Sequence, residues 1–224
     1  MINLFIDKSI SSKIPTFKIG AIHYNNIVIS DSPQMLKGRL QFFQETLKVE
    51  LETKELSDFK GISEWRQVFK TLNMNASRYR PSHEALYRRI KKGQPLPLVH
   101  SAVDLNTFFS LEYVIPLGIY DSASIEGDVT FRLGLENEAY DGVNGRENDM
   151  SGKLVSADQL GAFGSPIVDS MRSKVTEDTT SALHLFYMRP SMEIDEASKL
   201  LQAAGTMFTQ VHGGDFQYKV VTFR

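Results

Sequence analysis

Residues 77–132, SRYRPSHEALYRRIKKGQPLPLVHSAVDLNTFFSLEYVIPLGIYDSASIEGDVTFR, hold two helix patterns and a strand in close succession. Pro81-Ser82 is a helix-start signal, Leu86 and Ile90 are spaced to face a core, and Gly93 is a suitable stop. The spacer Gly93-Gln94-Pro95-Leu96-Pro97 breaks that helix from a second one over residues 99–114, where Val103, Phe109 and Leu111 stand near helical spacing. Pro116-Leu117-Gly118-Ile119-Tyr120-Asp121 then turns the chain into a strand.

Residues 2–6 and 22–29 read as strands by their β-branched content and short length. Asp31-Ser32-Pro33 signals a helix start, with Ser32 as N-cap and Pro33 in the first helical position. That helix runs to about residue 48 and buries Met35 or Leu36, Leu40, Phe43 and Leu47. Residues 64–72 suggest a helix with Trp65, Val68, Phe69 and Leu72 on one side, and Trp65, Phe42 and Phe43 are read as core. Residues 128–133, 153–156, 182–188 and 216–223 read as strands, and residues 195–210 as an amphipathic helix closed by Gly213-Gly214. No regular βαβ alternation or clean linker appears. The expectation is an α+β fold, with antiparallel or mixed sheets and packed helices, as one domain over residues 1–224.

Composition bounds the function. The chain has 224 residues, 42% hydrophobic, and a formal net charge of −2, so it is not a general polyanion binder. The charge is unevenly spread: Arg78, Arg80, Arg88, Arg89, Lys91 and Lys92 cluster in one sector, and the following sector is acidic. Such a basic run is either a solvated helix face or a phosphate-contacting surface. There is no cysteine, hence no disulfide, thiolate metal site or cysteine nucleophile. The absence of a signal-peptide pattern at the N-terminus and of a long apolar run leads to the expectation of a cytoplasmic chain without membrane spans. There is no phosphate-loop, dinucleotide, zincin or nucleophile-elbow motif, the histidines lack metal-ligand spacing, and no cofactor is expected.

What survives is an ordered set of fragments. It comprises Arg78-Tyr79-Arg80-Pro81-Ser82, Arg88-Arg89, Leu96-Pro97, Val103-Asp104, Asn106, Ser110-Leu111, Gly118 and Tyr120-Asp121. Further on come Gly127, Arg132, Pro166, Asp169-Ser170, Arg172 and residues 175–179. This pattern resembles the B3/B4 domain of the bacterial phenylalanyl-tRNA synthetase beta subunit, and more closely the free-standing B3/4 proteins. The resemblance implies two interleaved sheet-containing lobes and a role in translation quality control, since in the synthetase this domain removes misattached tyrosine from tRNA. The implied partner is tRNA or its aminoacylated 3′ end, with a possible amino-acid ligand. The implied reaction is deacylation of mischarged tRNA in trans. The alternatives are a non-catalytic amino-acid or RNA-binding module, or a small-molecule hydrolase that has reused the pocket.

Relative to the synthetases, the Thr-Asn pair after Val-Asp aligns with Asn106 and Thr107. The editing histidine falls on Gly118, and the editing glutamate falls on Met171. Asn106 and Thr107 are therefore candidates to orient water or bind the ester, or are polar helix-surface residues. Asp169, beside Ser170, could accept an α-ammonium, and Arg172 could grip a carboxylate or phosphate with its planar fork. Alternatively, Asp169 and Arg172 form a structural pair at a turn. Gly118 either admits a ligand to the backbone or is a turn glycine. Tyr120 and Asp121 line the pocket or pin the turn. His100 is a general base or a helix-start residue. Arg88, Arg89, Lys91 and Lys92 are the candidate phosphate contacts.

Overall fold

The computed structural model describes residues 2–75 and 78–223; Ser77, the first residue of the 77–132 stretch, lies outside them. Its chain order is β1 (Leu4–Ile6), α1 (Lys8–Ser11), β2 (Lys18–Asn25), α2 (Gln34–Thr53), α3 (Lys60–Thr71), α4 (Ser82–Lys91), α5 (Ser101–Tyr113) and β3 (Leu117–Asp121). There follow β4 (Val129–Leu133), β5 (Ala139–Asp141), β6 (Glu147–Asp149), β7 (Leu154–Asp158), β8 (Gly161–Gly164), β9 (Ser181–Tyr187), α6 (Ile194–His212) and β10 (Asp215–Thr222). The class is α+β, as expected.

Strand alternation organises the layers. In β9, Ala182 and Phe186 join one hydrophobic cluster, while Leu183, Leu185 and Tyr187 join a second. Since successive side chains point to opposite faces, β9 is buried on both. It sits inside an antiparallel sheet of order β10-β2-β9-β3. The first cluster, with Leu40, Tyr87, Phe109 and Leu201, fills the space between this sheet and helices α2, α4, α5 and α6. The second, with Trp65, Phe69, Phe131 and Phe163, lies on the other side, under α3 and a second sheet of order β1-β4-β7-β8. In that second sheet β1 pairs parallel with β4 and the remaining pairs are antiparallel. A short β5-β6 hairpin completes the fold.

Several boundaries differ from the sequence reading. The strand expected over residues 22–29 runs from Lys18 to Asn25, because Asn26 adopts a left-handed conformation (φ 55°). Ile27 and Ile29 remain buried, but the backbone there bonds to loop and helix-end carbonyls, not to a ladder. Ser32 is not an N-cap: Pro33 holds that position, and the Ser32 hydroxyl donates to the buried Asp104 carboxylate at 2.5 Å. Asp104 also accepts from the Val99 backbone N–H at 2.9 Å. It thereby ties the start of α5 to the start of α2. Helix α2 runs on to Thr53 and buries Leu36, Leu40, Leu47 and Leu51. Met35 and Phe42, expected inside, point to solvent.

Helix α5 ends at Val114 in the left-handed region (φ 55°). That is an uncommon conformation for a β-branched residue. It is held by close packing of the Val114 carbonyl on the bare Cα of Gly61 and by the Ser110 hydroxyl donating to the Ile115 carbonyl at 2.8 Å. This reversal delivers Leu117 and Gly118 into β3, the strand that carries the candidate site.

Candidate functional site

Tyr120 and Asp169 meet on the face of β3 that looks toward the second sheet. The Tyr120 hydroxyl donates to Asp169 Oδ1 at 2.6 Å. Two strand glycines make the space: a Cβ on either Gly118 or Gly164 would collide with that hydroxyl. Gly118 is thus neither a turn residue nor an open approach to the backbone. It lies within β3, buried, with the tyrosine above it. Burial pushes the Asp169 carboxyl up to about 7, against the opposing pull of the Tyr120 hydroxyl and the Ser165 backbone N–H. Burial and then the Asp169 charge push the Tyr120 phenol well above its ordinary value. A further tyrosine, Tyr187, shares its hydroxyl with Ser156 at 2.9 Å. Tyr140 donates to the Val168 carbonyl at 2.7 Å, beside Ser165. Asp169 as a residue is partly exposed, while its carboxyl is enclosed with these hydroxyls.

Arg172 does not join Asp169. Its guanidinium clamps Asp158 in a bidentate pair (3.0 Å on each arm) and donates to the Ser124 carbonyl at 2.8 Å. The Asp158 side chain is fully enclosed. The fork is therefore filled by protein, which leaves it little capacity for a ligand. Ser170 is buried and caps the short turn that follows, accepting from the Arg172 backbone N–H at 3.1 Å. Met171 is exposed. Asp121 pins the turn after β3 by accepting from the Ala123 backbone N–H and the Thr179 hydroxyl.

Asn106 and Thr107 lie on the opposite face of the central sheet. Asn106 Oδ1 is 3.1 Å from His184 Nε2, and His184 packs among Phe109, Phe186 and Phe208 in the helix-side cluster. The sheet therefore separates this pair from Tyr120 and Asp169. Burial holds His184 down to about 3, so it is neutral. Thr107 is partly exposed on the same helix. His100 is the N-cap of α5, its ring nitrogen facing the Val103 backbone N–H at 3.5 Å.

The four basic candidates do not share one face. Arg88 bonds Glu84 at 2.8 Å, and Arg66 grips the same carboxylate with two bonds of 2.8 and 3.0 Å. Burial raises Glu84, but the two arginines outweigh it and hold the acid ionised. Lys70 and Arg80 line the same groove between α3 and α4 and meet no carboxylate among the described residues. Arg89 turns away, donating to the Pro95 carbonyl, and Lys91 pairs with Glu55. Lys92 follows the last turn of α4, exposed. Adjacent helix positions lie on different sides of the cylinder, so Arg88 and Arg89 cannot serve one groove. Sequence reading missed Arg66 and Lys70 because they lie on another helix. The shared acid Glu84 was the one available signal. The groove adjoins the Asp169 loop: the Ser82 backbone N–H, at the start of α4, donates to the Pro166 carbonyl at 2.8 Å.

No helix among the described residues is long and apolar enough to cross a membrane. The sequence has relatives among known proteins. The chain is 31% identical over 212 residues to the uncharacterized protein YhzB of Bacillus subtilis (strain 168), covering 95% of this chain and 96% of that one. It is 33% identical over 95 residues to the phenylalanine–tRNA ligase beta subunit of Paramagnetospirillum magneticum (strain ATCC 700264 / AMB-1), which is 41% of this chain but 12% of the ligase subunit. An N-terminal fragment of the phenylalanyl-tRNA synthetase beta subunit from Pyrococcus horikoshii superposes with a TM-score of 0.45 at 12% identity, over 96% of this chain and 50% of the fragment. The B3/4 domain family matches residues 64–208, a span that holds both Tyr120–Asp169 and the Arg66/Arg88 groove, and the chain belongs to that family.

Proposed function

We propose that this protein binds the aminoacylated 3′ end of a tRNA and hydrolyses a misattached amino acid in trans. The observation that carries the reading is Asp169. It is an enclosed carboxyl in the family-matched region, pinned by Tyr120 and poised near neutral pH, on a loop that abuts the basic groove. In its ionised form Asp169 seats the α-ammonium of the aminoacyl group, and that added positive charge favours ionisation. Water attacks the ester carbonyl carbon. A new C–O bond forms, the bond to the ribose oxygen breaks, and the proton passes to that oxygen. Arg66, Lys70, Arg80 and Arg88 hold the acceptor-stem phosphates. Asn106 and Thr107, behind the sheet, act on the site through its packing and not by contact.

The test is release of amino acid from a panel of correctly and incorrectly charged tRNAs, comparing wild type with Asp169→Asn. Selective release that the variant loses supports the proposal. Equal release by both removes Asp169 from the site.

A second reading, a binding module without turnover, is favoured by one observation. The position where the resemblance places the editing histidine is Gly118, and the Tyr120 hydroxyl leaves no room for any side chain there. Saturable binding of charged tRNA without deacylation by folded protein in excess would decide for it.

A further inference from the structure

We infer that the outer face of α2 is a self-association surface that pairs with the same helix of a second copy, antiparallel, about a twofold axis near Phe42. Met35, Phe42 and Val49 are 72%, 74% and 65% exposed. They recur once every two turns on a single helix of 20 residues, directly opposite its buried face of Leu36, Leu40, Leu47 and Leu51. Three large apolar side chains aligned on one water-facing line, with Gly38 and Arg39 and then Glu45 and Thr46 between them, are more than scattered surface residues and mark an interaction face. Between Met35 and Phe42, Gly38 has no atom of the rest of the protein within reach of a Cβ. The backbone is bare there, so a second helix and its phenylalanine ring can approach closely.

Three features select a second copy over an unrelated partner. The first is symmetry: Met35 and Val49 stand equally far on either side of Phe42. A twofold through Phe42 sets Met35 of one copy against Val49 of the other and the two phenylalanine rings against each other, as an isologous interface requires. The second is charge. The first half of the helix carries Lys37 and Arg39, and the second half carries Glu45, Glu50 and Glu52 with Lys48. Antiparallel pairing lays the basic half of each helix over the acidic half of its partner; parallel pairing stacks like on like. The third is extent. A helix of this length spans about 30 Å. That length confines the contact to one helix face, at the small end of dimer interfaces. A contact along one helix face gives a reversible dimer, with the groove between α3 and α4 left open on each copy.

Sedimentation equilibrium over about 5 µM to 500 µM, the range in which a small interface dissociates, reads the association directly. Wild type is expected to shift from monomer toward dimer, and Phe42→Glu is expected to remain monomeric across the range with an unchanged far-UV spectrum. Because the chain has no cysteine, register is read by single replacements under a mild thiol oxidant. Phe42→Cys is expected to form a disulfide-linked dimer alone. Met35→Cys and Val49→Cys are expected to cross-link only when mixed. A wild type that stays monomeric throughout, a dimer that Phe42→Glu leaves intact, or self-cross-linking of Met35→Cys alone would each overturn the inference.

Discussion

Replacing Asp169 with asparagine isolates the energetic cost of its ionisation. The carboxyl titrates at about 7 in the folded protein, against 3.8 for the unperturbed group. Between those values the folded state holds a proton that the unfolded state has released. Stability contributed by this group is therefore fully present below about pH 4 and is lost as pH rises through 7. At about 1.4 kcal/mol per unit, the gap amounts to about 4 kcal/mol. Asparagine keeps the size and an acceptor for the Tyr120 hydroxyl but cannot ionise. The stability of wild type minus that of Asp169→Asn should fall by about 4 kcal/mol between about pH 4 and pH 8, and level off above. Three buried histidines work in the opposite sense. Burial holds His83 and His184 to about 3 and His212 to about 4, so their contribution is lost as pH falls below 6.5. They are common to both proteins and cancel in the difference. Urea unfolding of the two proteins across this range, analysed with a shared m-value, gives the curve. A difference that does not change with pH would refute the assignment of a near-neutral carboxyl at this position.

Arg172→Met should cost about 3 kcal/mol in denaturant unfolding, because the enclosed Asp158 carboxylate loses its bidentate partner, while salt dependence of tRNA binding stays unchanged. Gly118→Ala should lower stability by about 2 kcal/mol through overpacking against Tyr120, and Gly118→Ala combined with Tyr120→Phe should recover part of it. Filter binding of tRNA across a salt series should show a slope reduced by about one unit for each of Lys70→Glu and Arg80→Glu, and an unchanged slope for Arg89→Glu, whose guanidinium serves the Pro95 carbonyl.

The sequence was informative where local chemistry decides. Leu86 and Ile90 do pack toward the core, Ile90 fully, and the amphipathic residues 195–210 lie within α6. Gly213 stands at its C-terminal cap. Where two turns of a helix offer equally apolar faces, pattern could not choose: α2 has leucines on one side and Met35, Phe42 and Val49 on the other, and only packing against α4 and α5 tells them apart. The site was legible as residue types and not as pairings. Asp169 and Arg172 are near neighbours in sequence, yet one bonds Tyr120 and the other Asp158, because the turn between them points their side chains apart. Asn106 reads as close to Gly118 along the chain, but the left-handed Val114 reverses direction between them and the sheet then parts them. Such separations follow from topology, which no local spacing encodes.

The two-sided burial of β9 has a consequence for how this protein tolerates change. From Ala182 to Tyr187 every residue of that strand is buried on one of its two faces, so a single-residue insertion or slip would exchange the two sets at once. His184 would be driven into the space of Leu183 or Leu185, and Tyr187 would be lifted away from Ser156. Neither core can then be repaired by itself. The register of one strand acts as a common lock on the helical layer and on the Tyr120–Asp169 layer. Along β9 the fold therefore accommodates substitution more readily than a change of length, which the loops at its ends can absorb.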